Sequence, residues 1–379
     1  MVGHAREAMK RVNSYRATVL LAVAAIFGGP AADAQQVLKI DYTTGRTIID
    51  DQWRSMRTSD LAVDRTRGIL YVIDAEEPEG VMAFSLETGE WIRTIQTREG
   101  DGPREFPEGR SSTAIAPGGG LYVSGLGRVV EYDSRGVFVS SWTPGWKQTF
   151  DVCDFGGEPT IPIPSGVERR RPEGTGDGIP STTAEDRPPE IRSPDESHAF
   201  ATTHVGARLV CTESRAFVVR SYTDGPDSVF VYHRDGKVGA VAVPSDFADW
   251  EGCEKREVRT ASGQVSSRPL PCWVWNRALT PSMDDRGNLV LLGSDFNFAG
   301  TIINPETGCY AIVRKDPSTD KARVPVRILG DSVLVFHNYS EPNENGGTTY
   351  YTDSANRLSL HPFRRVSGEP CPGMLPLVN

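Results

Sequence analysis

Beyond its first thirty-odd residues the 379-residue chain has no apolar run long enough to cross a bilayer as a helix, which takes ~20 residues. Histidine is scarce, with six residues in all and no H-x-H or H-E-x-x-H pairing, so the usual histidine-based metal centres have no sequence basis. There is no C-x-x-C, which argues against structural zinc. No G-x-S-x-G nucleophile elbow occurs, and no Cys/His pair stands at a recognisable catalytic spacing. Basic residues number 41 against 50 acidic ones, a net charge of −9. Such a surface repels phosphate, which argues against nucleic acid and anionic membrane as partners.

What is plentiful is punctuation. Thirty-eight glycines and 27 prolines divide the chain into short apolar runs, the pattern of an all-β protein. Residues 98–142 carry a connector, Gly100-Asp101-Gly102-Pro103, followed by four β-type runs: 112–116, 121–123, 129–133 and 137–142. A copy lies upstream, with Leu70-Tyr71-Val72 preceding Leu121-Tyr122-Val123 by 51 residues. A four-strand unit cannot bury both its faces alone, and a period of about 40–50 residues with four strands is the signature of a propeller. Further units are expected at 150–163, 208–243, 279–313 and 324–360. The expected fold is a six-bladed β-propeller of four-stranded antiparallel blades, with seven blades the alternative if the long connectors hide strands. Residues 37–42 are expected to pair with the C-terminal blade and close the ring.

Residues 98–139 resemble the NHL-type repeat of six-bladed propellers. The matching positions are Gly100, Gly102, Pro103, Glu105, Phe106, Gly120, Leu121, Tyr122, Val123, Tyr132, Asp133 and Gly136. Arg104 and Ser124-Gly125 depart from that pattern. The resemblance implies a propeller. It also implies an interaction platform, since many such propellers bind partners without catalysis; other six-bladed propellers are metal-dependent hydrolases or lyases of the lactonase type.

Residues 1–34 combine Arg6, Lys10, Arg11 and Arg16 with an apolar run over 17–27 and Ala32-Asp33-Ala34. This is the layout of a secretory signal peptide cleaved after Ala34, leaving a single propeller domain over 35–379, secreted or periplasmic. That remainder has 37 basic and 48 acidic residues. All six cysteines, Cys153, Cys211, Cys253, Cys272, Cys309 and Cys371, fall within it, and an even count in an exported chain favours disulfides. Fifteen pairings are possible. Nearest-neighbour pairing, 153 with 211, 253 with 272 and 309 with 371, is the topological expectation, because each bond then brackets one excursion.

Residues 164–197 contain six prolines, many charges and few large aliphatics, so they are expected as a disordered insertion that buries too little to offset its ordering cost. Residues 159–163 are expected to be an edge strand because of Pro159 and Pro162. The Gly100–Pro103 connector lacks the G-K-[ST] ending of a phosphate loop. Function falls to the loops. Arg128, Trp146, Trp250, Asp295, Phe296, His337 and Tyr339 are the expected ligand-binding residues, since arginine and aromatic side chains on loops commonly anchor partners. The expected function is a non-enzymatic, monomeric binding propeller for a protein, peptide or glycan, with no catalytic residues and no cofactor. The alternative is a channel metal enzyme, for which Ca2+ held by loop oxygens such as Asp74, Glu76, Glu77, Asp295, Asn297, Asn338 and Glu341 is the candidate ion.

Overall fold

The computed structural model describes residues 36–50, 58–74, 80–107, 109–144, 151–163, 166–170, 191–192, 208–219, 228–243, 258–259, 265–266, 280–292, 298–314, 323–342, 348–368 and 374. Among them the regular structure is β-strand apart from one short 3-10 turn at Pro117–Gly119. Among the described residues no helix is long and apolar enough to cross a membrane.

Six four-strand units follow one another among the described residues. Blade one comprises Thr58–Asp64, Ile69–Asp74, Gly80–Ser85 and Trp91–Gln96, and blade two Arg110–Ile115, Leu121–Gly125, Arg128–Tyr132 and Phe138–Trp142. Blade three comprises Cys153–Asp154, Pro159–Ile163, Gly166–Arg169 and Ile191–Arg192, and blade four Arg208–Cys211, Arg215–Val219, Ser228–His233 and Val238–Ala242. Blade five is Thr280–Met283, Leu289–Leu292, Phe298–Ile303 and Tyr310–Arg314. Blade six begins with Arg323–Leu329, Ser332–Pro342 and Thr348–Gly368, and Arg46–Ile49 from the start of the chain supplies its fourth strand against Leu358–Leu360.

The hairpins form where the sequence supplies both donors and special backbone. In blade two the Asp133 carboxylate accepts the N–H groups of Arg135 and Val137 at 2.8 Å each, and Gly136 takes φ 83°. That positive φ is cheap only for glycine.

Each blade leaves two apolar faces, and each face is covered by the next blade. Six buried clusters result. One joins blades one and two through Tyr71, Ile95, Phe106 and Leu121, and a second joins two and three through Tyr122, Val129, Ile161 and Ile163. Phe155, Val167, Ala216 and Tyr232 join three and four, while Phe217, Val229, Leu289 and Ile303 join four and five. Val290, Ile302, Ile328 and Val335 join five and six, and Leu334 and Phe336 meet Leu61, Leu70 and Phe84 to join six back to one. The chain therefore closes on itself as a β-propeller.

The closure differs in detail from the expected N-terminal strand. Gln36–Ile40 does pair antiparallel with Phe363 to Gly368 of the last blade, yet it also pairs in parallel with Ala311 to Arg314 of blade five. It thus fuses blades five and six into one sheet, and Arg46–Ile49 rather than Gln36–Ile40 is the outer strand beside Leu358–Leu360.

Two features of blade three depart from the sequence expectation. Pro159–Ile163 pairs on both sides, so it is interior; its inner neighbour reaches only Thr160, leaving Pro162 unpaired on that side. The expected insertion at 164–197 is narrowed, because Gly166–Arg169 and Ile191–Arg192 complete the blade and Val167 is fully buried. Residues 171–190 lie outside the described residues.

Cys153 is bonded to Cys211, as nearest-neighbour pairing expects. The bond ties the innermost strands of blades three and four together across the intervening segment. Cys309 is also disulfide-bonded, its partner lying outside the described residues, as do Cys253, Cys272 and Cys371.

Candidate functional site in the central channel

The innermost strand of every blade contributes to one cavity of about 300 Å³ on the propeller axis. Asp60 and Ala62 come from blade one, Thr113 to Ile115 from blade two, residues 151–154 from blade three, Arg208 to Thr212 from blade four, Pro281 from blade five and Arg327 from blade six. That volume is at the low end for ligand sites. It admits a small molecule or the end of a larger one.

The repeat itself sets the polar level of this channel. Ala116, Phe155 and Thr212 each open the first hairpin turn of their blade by donating an N–H across it. Asp64 holds the same place in blade one, paired with Ile69. Four residues ahead of these positions stand Ser112, Asp151, Arg208 and Asp60. Equivalent register in successive blades thus turns one strand position into a polar ring.

The two carboxylates take hydrogen bonds from their own scaffold, Asp60 through Oδ2 and Asp151 through both oxygens. Asp60 accepts from Thr113 N–H at 2.7 Å and from Ser112 Oγ at 2.9 Å. Asp151 accepts from Leu209 N–H at 2.6 Å, from Val152 N–H at 3.0 Å and from Ser112 Oγ at 2.5 Å. Ser112 has one proton for two acceptors. With Asp151 protonated, its hydroxyl donates to Ser112 Oγ, which in turn donates to Asp60, and every contact is satisfied. Burial pushes Asp151 up to about 6, and Asp60 adds to that shift while Arg208, Ser112 and Leu209 oppose it.

The two guanidinium groups are different. Neither Arg208 nor Arg327 makes a hydrogen bond among the described residues, and Arg327 Nε is buried without a partner. Arg327 is surrounded by protein while still touching the cavity. Desolvation pulls its guanidinium below its ordinary value, and the charges of Asp60 and Asp151 work the other way. Of the other acidic residues at the cavity, Asp154 interacts with Glu131, Glu158 and Arg234, and Glu213 is exposed at the turn.

The residues expected from sequence lie elsewhere. Arg128 donates to the carbonyls of Gly102 and Glu105, the latter at 2.9 Å, and reaches that of Asp101 at 3.4 Å. The connector it holds is further fixed by Gly102 N–H donating to Glu105 Oε2 at 2.8 Å, and Phe106 is wholly buried between blades one and two. The conspicuous G-x-G-P-x-E-F stretch is thus an inter-blade fastening. Arg128→Ala is expected to lower stability by about 2 kcal/mol, since charged hydrogen bonds to the connector's carbonyls are lost; urea denaturation measures it.

His337 lies in a second polar cluster, on blade six. His361 Nδ1 faces the Asp41 carbonyl at 3.2 Å, which places the proton on Nδ1 and leaves Nε2 to accept from Ser359 Oγ at 2.7 Å. His337 Nε2 then donates to Ser359 Oγ at 2.5 Å. The order resembles a nucleophile with its base, but Ser359 is only 3% exposed and the cavity does not reach it. What the cluster holds is the turn after Gln36–Ile40. Tyr42 packs edge-on against His361, Arg323 lies over Tyr42, and a side chain at Gly45 would collide with the imidazole.

Burial pulls His361 below its ordinary value, with Arg323 acting in the same direction and the Asp41 carbonyl against it. The native state therefore binds this proton less tightly than the unfolded chain. The latch contributes fully above about pH 6.5, the unfolded value, and loses its contribution as pH falls below it. Thermal melts at pH 7.5 and 5.5 are expected to show a larger acid-induced loss in the wild type than in His361→Gln.

Trp146, Trp250, Asp295 and Phe296 lie outside the described residues, and Tyr339 is described only as part of its strand. The same holds for the oxygen ligands expected for Ca2+, namely Asp74, Glu76, Glu77, Asp295, Asn297, Asn338 and Glu341, at the level of side chains. Among the described residues no group of three or more His, Cys, Asp or Glu is placed to hold a metal.

Fold and cavity together define a β-propeller with a polar central channel. No family model matches the chain, and no curated protein matches it. Solved structures similar to it include a virginiamycin B lyase from Staphylococcus aureus with quinupristin, at 9% identity, a TM-score of 0.45, and coverage of 86% of this chain and 99% of that one. The WD40 repeats of RRP9 give 12% identity and a TM-score of 0.49, over 86% of this chain and 99% of that one. A regucalcin from Agrobacterium tumefaciens gives 10% and 0.45, over 86% and 95%. At these scores the likenesses carry no argument about activity, and the fold rests on the strand pairing and the six inter-blade cores.

Proposed function

We propose that this chain is an exported, non-catalytic binding propeller that recognises a protein, peptide or glycan, with the loop face supplying the outer contacts and the channel holding the ligand's end group. The observation that carries the reading is the cavity itself, where all six innermost strands meet and two arginines have donors to spare. The Cys153–Cys211 bond supports an oxidising compartment, in keeping with the signal-peptide layout of residues 1–34. The NHL-like stretch at 98–139 supports kinship with interaction propellers.

The test is capture from the surrounding extracellular or periplasmic fraction with immobilised mature protein, alongside elemental analysis of the same sample. A saturable partner and no stoichiometric metal are expected. One tightly held metal per chain, with a melting temperature that falls on chelation, would overturn the reading in favour of a channel metal enzyme.

A further inference from the structure

Six charged side chains line the channel: Asp60, Asp151, Asp154 and Glu213, against Arg208 and Arg327; Asp154 Oδ1 is buried without a partner and Glu213 is exposed at the turn. Asp60 and Asp151 accept from backbone N–H groups and from Ser112. Arg208 and Arg327 line the same cavity with no hydrogen bond to any described residue. Arg208 is half-buried, whereas Arg327 Nε is buried without an acceptor, and a guanidinium nitrogen so placed loses its hydration without compensation. The guanidinium fork of N–H donors matches a carboxylate better than any other common group, and in a water-poor site that match is strong.

The rest of the wall narrows the choice of ligand. Ala62, Ala114, Ile115, Val152, Leu209 and Val210 are aliphatic, and none of the described residues at the cavity is aromatic. Sugar rings favour flat aromatic platforms, which this wall lacks, whereas its aliphatic patches beside the polar ring suit a small hydrocarbon side chain. We propose that Arg208 and Arg327 form a receptor for the carboxylate of a ligand with an aliphatic body, the C-terminal residue of a peptide being the fitting case. The proposal rests on the binding reading above and names the chemistry of its ligand.

The channel also makes this recognition sensitive to acid. The charges around the two arginines are Asp60 from blade one, Asp151 and Asp154 from blade three and Glu213 from the turn of blade four, with Arg65 lying near Arg327 from the turn of blade one; burial pushes Asp154, like Asp151, up to about 6. With the aspartates ionised they offset Arg208 and Arg327. As Asp151 takes up its proton near pH 6, the balance shifts toward positive charge while a peptide carboxylate, with its ordinary value near 3.5, stays ionised. Binding is expected to be several-fold tighter at pH 5.5 than at 7.5.

Calorimetric titration of the intact mature protein with acetyl-Ala-Val, its C-terminal amide and glucuronate tests the proposal. The acid is expected to bind at least tenfold more tightly than the amide and than glucuronate, and Arg208→Gln, confirmed folded by its melt, is expected to lose at least tenfold in affinity. Arg208→Lys, which keeps the charge and loses the fork, should fall between. Equal binding of acid and amide, no binding of the acid, or a preference for glucuronate would each overturn it. The same variant separates the two readings: if a captured partner binds Arg208→Gln and wild type equally, the binding reading stands and the carboxylate receptor fails. Absence of any captured partner fails the binding reading itself.

Discussion

A chain that begins at Asp50 is expected to yield no cooperatively folded propeller. The truncation removes Gln36–Ile40 and Arg46–Ile49, whose four buried apolar side chains, Leu38, Ile40, Ile48 and Ile49, are each at most 4% exposed. Leu38 and Ile40 sit in the core between blades five and six, and Ile48 and Ile49 in the core between six and one. Deleting one buried aliphatic side chain costs about 2–5 kcal/mol, so four together match or exceed the 5–15 kcal/mol of a typical domain. Two strand edges, Tyr310–Arg314 and the stretch Leu358 to Gly368, would also lose their partners and become aggregation-prone. Circular dichroism and gel filtration against a chain starting at Gln35 check the expectation. A truncated protein that stays monomeric and melts within a few degrees of the longer one would show that the ring closes without its N-terminal strands. Leu38→Ala, a milder probe of the same seam, is expected to cost about 3 kcal/mol.

The second large effect is expected from replacing both Cys153 and Cys211 by serine. Their sequence separation of 58 makes the cross-link a constraint on a long loop of the unfolded chain, worth about 4 kcal/mol in the chain-entropy model. The two cysteines stand on the innermost strands of blades three and four, where Cys153–Asp154 pairs through only two residues with its neighbour. So short a strand has little ladder of its own, and the bond to Arg208–Cys211 fixes it beside the channel. Urea midpoints of the double variant and the oxidised wild type give the measurement. A shift below about 1 kcal/mol would mean that the Phe155, Val167 and Tyr232 core alone holds the two blades together.

These effects divide unevenly between what the chain announces and what it conceals. Blades one and two were readable because each strand is bounded by its own turn residues: Gly68, Gly89 and Gly136 take positive φ, and Leu70-Tyr71-Val72 and Leu121-Tyr122-Val123 are buried central strands. The pairing of Cys153 with Cys211 followed from one topological argument. Blade three was harder, because Glu168 and Arg169 disguise Gly166–Arg169 as part of a charged insertion and only Val167 signals a buried face. Its strand character comes from pairing with Pro159–Ile163, a partner that local propensity does not reveal.

The channel is the clearest case of concealment. Arg128 stood out because arginine on a loop commonly anchors a partner, yet its hydrogen bonds fasten the connector at Gly102 and Glu105. Asp60, Asp151, Arg208 and Arg327 drew no notice, although a polar residue recurring four positions before the first turn of successive blades was a signal available in the repeat. Alternation of apolar and turn residues acts between near neighbours in sequence, so the amino-acid sequence by itself determined the strands, the turns and the repeated blade. Which side chains meet on the axis depends on closing a ring whose first and last strands lie more than 300 residues apart, and only the tertiary structure decided that. There, removal from water gives a guanidinium without an acceptor its chemical consequence.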